Sequence, residues 1–345
     1  METRARRRER QRMYNLNTMP QVAMEQILKY CGFMEINALR KTCTYTRGLV
    51  DLIKPDLEIK TIGCSFSSDA ITMTSDAFLM TQTYSYLEEE RGVVYKNTAD
   101  GCVVSIDGRA SPVKFFKDTT AAEMFCRDFR ILLPLLMHQK NPLDDWRMRF
   151  GFDGFAVFQT TMGRVLAEFN AQLRTVLFLL NYKDRPDLMT MLPLVCATTL
   201  TRLSITNDSL RRDEVFDLSQ VAELAQWKNL RRFYLDGCLP DTLCRLKQFS
   251  TCWVYCETVA PDDIVSLKEA FRNAPLLIDC VICDLKGRNR AEVRRALSPR
   301  GSNDEMLYFS TTTPDYVLSV KLTCRIKFKR VPRSSLKHDD IVIMD

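Results

Sequence analysis

Residues 223–238, ELAQWKNLRRFYLDGC, carry two different periods within a short span. Entering it, Leu218, Val221, Leu224 and Ala225 fall at the three-and-four spacing of a helix with one apolar face. Leaving it, Arg232 and Tyr234 alternate with Phe233 and Leu235, the period of two expected of a strand with one face buried. A helix that runs into a strand across so short a break is the building unit of a parallel α/β sheet, because parallel strands need a crossover between them.

The same pattern extends both ways. Strand cores are expected at Arg147–Phe150, Thr175–Leu179, Leu203–Ile205, Phe233–Leu235, Trp253–Tyr255 and Asp279–Ile282. Pro261-Asp262-Asp263 opens a helix through Ile264, Leu267 and Phe271, with its acidic start at the positive end of the dipole. A unit repeated every ~20–30 residues suggests a degenerate, curved, leucine-rich-repeat-like α/β stack over 138–285. With Leu203, Ile205, Phe233 and Leu235 turned inward, Arg202, Arg232 and Tyr234 face outward and are the candidate residues for holding a protein target. Upstream, residues 56–137 read as β-rich and end in a helix from Thr119 to Met137. Downstream, 286–330 read as a loop and a closing hairpin, and 331–345 as a tail.

The N-terminal part differs. Pro20 suits a helix's first turn, and Met24, Ile27, Leu28 and Cys31 then make one apolar stripe that Gly32 ends. Ile36, Leu39 and Cys43 make a second stripe. Leu49, Val50 and Ile53 make a third, closed by Pro55. Three helices in residues 19–55 are too few for a core of their own, so they need a partner surface.

The formal charge of the 345-residue chain is +6, and residues 1–18 hold six arginines against two glutamates. The remaining body is therefore nearly neutral, and neither a nucleic-acid partner nor a membrane is expected. The arginine-rich stretch reads as a disordered tail. Thirteen cysteines, an odd number, point to free thiols in a reducing compartment, cytoplasm or nucleus. Cys252 with Cys256 and Cys280 with Cys283 are read as core thiols, with no metal. With two histidines and none of the phosphate-loop, zinc-protease or nucleophile-elbow patterns, no enzyme activity and no cofactor are expected. His138 is read as a solvated charge at a helix end, and Trp146, Trp227 and Trp253 as core residues.

Met19, Pro20, Met24, Ile27, Leu28, Ile36, Leu39 and Cys43 are spaced as in an F-box, which they resemble over about forty residues. Met19 stands where leucine is usual, Val22 where an acidic residue is usual, and Thr46 where the third segment often has tryptophan. Residues 222–285, with ETVAPDDIVSLKEAFRNAP at 257–275 and PLLIDCVICDL at 275–285, resemble the FTH homology domain. Together the two resemble the nematode F-box A family. The resemblance implies that those eight residues dock a Skp-type adaptor, and through it a cullin. The rest of the chain is then implied to bind an unknown protein substrate for ubiquitination. The alternative is a non-catalytic binding scaffold whose F-box assembles no ligase.

Overall fold

The computed structural model describes residues 19–31, 33–75, 92–106, 114–183, 187–207, 216–239, 243–256, 259–284, 290–298, 305–323, 325–336 and 343–344. The arginine-rich tail lies outside these described residues. The chain divides into two compact units, 1–175 and 176–345.

The first unit opens with helices α1 (Gln21–Leu28), α2 (Phe33–Thr42) and α3 (Thr44–Ile53). Lys54 takes the left-handed conformation, at φ 47°, and caps α3 just before Pro55. Strands β1 (Thr61–Phe66), β2 (Ala70–Ser75), β3 (Gly92–Thr98), β4 (Gly101–Ile106) and β5 (Lys114–Lys117) follow as an antiparallel meander. In β1 and β2 every second residue is buried, as the alternating sequence requires. Helix α4 (Ala121–His138) is started by a reciprocal cap in which Thr120 and Glu123 satisfy each other's backbone N–H groups. Strand β6 (Leu143–Phe150) pairs parallel to β1 on the edge away from β2. Short helices α5 (Gly154–Phe158) and α6 (Arg164–Glu168) flank a π turn. Strand β6, beyond residue 138, thus belongs to the first of the two compact units.

Phe66 sits among Phe125 of α4, Phe150 of β6 and Phe158 of α5, with ring centroids 5.7, 6.0 and 5.7 Å away. Gly154 is forced by proximity: a Cβ there would lie 2.3 Å from the Phe66 carbonyl oxygen. Two titratable groups lie in this core. Burial pushes the Cys64 thiol up to about 12 from an ordinary 9.0. Tyr95 is raised too, first by burial and then by Asp128, to which its hydroxyl donates at 3.0 Å. Both groups therefore favour the protonated form when folded. The stability this gives is complete below the unfolded thiol's 9.0 and is lost as pH climbs from there toward 12. The loss is about 1.4 kcal/mol per pH unit for the thiol alone. The urea midpoint of the first unit should fall above pH 9.0, and Cys64→Val should flatten part of that fall. A midpoint unchanged by alkali in the unsubstituted chain would mean the thiol is not buried in solution.

The second unit is built on five parallel strands: β7 (Thr175–Tyr182), β8 (Arg202–Asn207), β9 (Arg232–Leu239), β10 (Thr251–Cys256) and β11 (Asp279–Asp284). Phe178, Leu203, Phe233, Cys252 and Cys280 pair in register as one buried row across all five. Short helices α7 (Leu188–Met191) and α8 (Ala225–Asn229) and the longer α9 (Pro261–Arg272) fill the crossovers. Trp227 of α8 packs on Phe233, centroids 4.9 Å apart, so the helices cover the face that carries this row. Helix α10 (Arg290–Leu297) and β12 (Met306–Ser310) precede the antiparallel hairpin β13 (Tyr316–Leu322) and β14 (Ile326–Pro332), and β14 continues the sheet beside β11. The edge is completed by β15 (Ile343–Met344), parallel to β12.

Three expectations change here. The 286–330 segment is not only a loop and hairpin, since it contains α10 and β12. The helix expected around Leu218 to Ala225 is a single 3-10 turn at Val221–Glu223 followed by α8. The thiols are not all free: Cys252 and Cys280 form a disulfide, because register sets them directly opposite with Cα atoms 4.6 Å apart. Their neighbours Cys256 and Cys283 remain buried thiols.

Candidate functional site

The three N-terminal helices divide their apolar residues in two. Met24, Leu28, Ile36 and Val50 are buried. Thr46 is buried as well, and its hydroxyl donates at 2.9 Å to the Leu39 carbonyl, one of the orphan carbonyls at the end of α2. Cys43 is half-buried and caps α3, its sulfur accepting from the Thr46 N–H at 3.4 Å. Hydrogen bonds from the Thr46 side chain, then from its backbone, lower the Cys43 thiol's pKa. An ion pair of 3.0 Å between Arg40 and Asp51 ties α2 to α3. The segment after α3 is pinned to the end of α4. Gln139 donates to the Ile59 carbonyl at 2.8 Å, and the Lys140 N–H donates to Asp56 at 3.4 Å.

Of the eight candidate docking residues, Pro20 and Ile27 are exposed, while Met19, Leu39 and Cys43 are half-buried. Met24, Leu28 and Ile36 are interior and hold the helices to one another. The stripe at helical spacing thus supplies both part of the module's core and part of its outer surface. Val22, Tyr30, Tyr45 and Leu52, outside those eight, are also exposed. With Ile27 they make up five of the twelve large apolar residues exposed among the described residues. Their signal was an apolar residue lying off the stripe. The Tyr45 hydroxyl donates to the Met19 carbonyl at 3.1 Å, which brings α3 to the start of α1.

In the second unit Arg202 and Arg232 are exposed and directly paired in register, and Tyr234 is half-buried. All three lie on the sheet face opposite the helices, as the alternation predicted. Trp253 joins them, half-buried, with its ring 6.2 Å from Tyr234. Trp146 and Trp227 are core residues, but Trp253 is not on the helix-covered face. His138 is held in place: its Nδ1 lies 2.7 Å from the Pro134 carbonyl and its Nε2 3.0 Å from the Lys54 ammonium. Lys54 can only donate, so the imidazole accepts at Nε2 and donates at Nδ1.

Among the described residues no three His, Cys, Asp or Glu side chains converge as metal ligands. Among them, too, no helix is long and apolar enough to cross a membrane. The F-box domain family model matches residues 16–57, and the FTH domain family model matches residues 157–300. No curated protein and no solved structure matches the chain.

Proposed function

We propose that this chain, which has the F-box-then-FTH architecture of the nematode F-box A family, is the substrate-recognition subunit of a Skp-cullin-F-box ubiquitin ligase. Residues 19–55 dock the Skp-type adaptor, which links the chain to a cullin. The parallel stack, read as leucine-rich-repeat-like, holds a protein target on its open face. Another subunit supplies the catalysis, so the chain works without a cofactor, in the cytoplasm or nucleus.

One observation carries this reading. Within the segment matched by the F-box model, α1, the turn after it and α3 leave Val22, Ile27, Tyr30, Tyr45 and Leu52 exposed, Tyr30 by 88%. A module this small has little reason to spread large apolar side chains over its surface unless a partner covers them. The occupant of the tryptophan position, Thr46, is buried in this chain. Its place in the interior supports assigning docking to exposed neighbours and not to position 46.

The test is capture of the full chain with a purified Skp-type adaptor. A stable complex at equal stoichiometry is expected. Failure to retain the adaptor, with the chain folded, would leave the scaffold reading in its place.

A further inference from the structure

The open face of the second unit's sheet has an unusual charge distribution for a chain whose body is nearly neutral. Six cations lie on it: Arg202, Arg232, Lys321, Arg325, Lys327 and Lys329. Register and side chains make this one field. Arg202 pairs with Arg232, Arg232 with Thr251, Thr251 with Asp279, and Asp279 with Lys329. One step along the strands, Tyr234 pairs with Trp253, Trp253 with Val281, Val281 with Lys327, and Lys327 with Lys321. Residues directly opposite each other in a sheet share a face. Arg325 completes the field by lying over the Trp253 ring, 4.6 Å from its centroid.

Two carboxylates accompany the six cations. Asp279 pairs with Lys327 at 2.8 Å, and Asp236 lies on β9 two residues beyond Tyr234. Arg202, Arg232, Lys321 and Lys329 are exposed, and no described carboxylate pairs with any of them. The like-charge pairs Arg202 with Arg232, and Lys321 with Lys327, stand directly opposite each other, which costs a sheet stability unless an anion sits between them.

The half-buried rings of Tyr234 and Trp253 lie in the middle of this field. Trp253 packs beside a cluster of Tyr255, Val281 and Cys283, separate from the helix-side row.

We propose that this face binds an extended, acidic segment of a protein, glutamate- or aspartate-rich with an apolar side chain at its centre. The proposal deepens the substrate-receptor reading above and rests on it for the identity of the bound protein as a target. The spacing fits an extended peptide. Arg325, Lys327 and Lys329 occupy alternate positions, so their step is that of carboxylates on alternate residues of a strand-like segment, about 6.8 Å. The apolar residue of the segment meets the half-buried rings of Tyr234 and Trp253. Nucleic acid suits the face less well, because Asp236 and Asp279 stand within the cationic field and repel a continuous phosphate chain.

The test is anisotropy of a short fluorescein-labelled glutamate-rich peptide with one central leucine, titrated with the full chain. A lysine-rich peptide and a single-stranded oligonucleotide are run beside it, and adaptor capture is measured on the same samples. Saturable binding of the acidic peptide is expected, weakening as salt rises. It should fall about tenfold or more in Arg202→Glu with Arg232→Glu, and in Arg232→Ala with Tyr234→Ala. Arg232→Lys should retain most of it. Unchanged amide protection of β8 and β9 and unchanged adaptor capture in these surface variants keep a folding defect apart from a binding defect. Absence of peptide binding, binding unaffected by both double variants, or tighter binding of the oligonucleotide to this face overturns the proposal. Peptide binding without adaptor capture leaves it standing and removes the ligase reading. Adaptor capture without peptide binding does the reverse.

Discussion

Phe66→Ala is expected to destabilise the first unit by about 3–5 kcal/mol, the usual cost of emptying a fully buried aromatic site. Phe66 is fully buried, and its ring meets one aromatic from each of three other elements, α4, β6 and α5. The cavity cannot close by one side chain turning, because its walls belong to different elements. The backbone at the same residue is fixed as well, with its carbonyl accepting from the Gly151 N–H at 2.8 Å and lying against Gly154. Phe66→Leu keeps most of the volume and should cost under half as much. Phe115, half exposed on β5, gives the control: Phe115→Ala should stay within about 0.5 kcal/mol. The chain has two compact units, so a single global melting curve is a poor measure. Hydrogen exchange of the β1 and β6 amides reads the first unit directly. A loss below about 1 kcal/mol for Phe66→Ala would mean that the four-ring cluster does not organise this sheet.

How far the sequence could be read follows from where short-range signals suffice. All six strand cores from Arg147 to Ile282 fall inside observed strands, since period-two alternation is a local property and the buried row is apolar throughout. The parallel pairing from β7 to β11 followed from helices filling the gaps. The pairing of β6 with β1 did not, because it joins residues about eighty positions apart and nothing local marks it. The same holds for the disulfide. Cys252 and Cys280 are 28 residues apart, and only the register between β10 and β11 makes them neighbours.

The candidate sites divide in the same way. Arg202, Arg232 and Tyr234 are where alternation placed them. Trp253 was read as core because tryptophan commonly is, although alternation with Cys252 and Val254 already put it on the open face. The cationic field was invisible to net charge, which averages over the surface. Four of its members, on the hairpin β13–β14, join Arg202 and Arg232 only through the order of strands in the sheet. In the N-terminal module, helical periodicity marked interior residues, Met24, Leu28 and Ile36, together with the exposed Pro20 and Ile27. Apolar spacing alone cannot separate a stripe that holds three helices together from one that awaits a partner.

Ile27→Asp is expected to weaken adaptor binding by a hundredfold or more while leaving the module folded. Ile27 is 38% exposed on α1, so an aspartate there can stay solvated in the free chain. Once the adaptor covers it, the carboxylate is desolvated without a partner, and a stranded charge of that kind costs about 3–5 kcal/mol. Tyr30→Asp, at the most exposed apolar site of the module, carries the same logic and an even smaller folding risk. Leu39→Asp should also lose binding, but Leu39 is half-buried, so part of its effect will come from loosened packing. Met24→Asp separates the two causes. Met24 is fully buried, and a charge there should melt α1 to α3 together, visible as lost amide protection across residues 21–53. Measured affinities for Ile27→Asp and Tyr30→Asp within about twofold of the unsubstituted chain, with that protection intact, would show that the exposed apolar side chains of α1 and the turn after it serve some contact other than the adaptor.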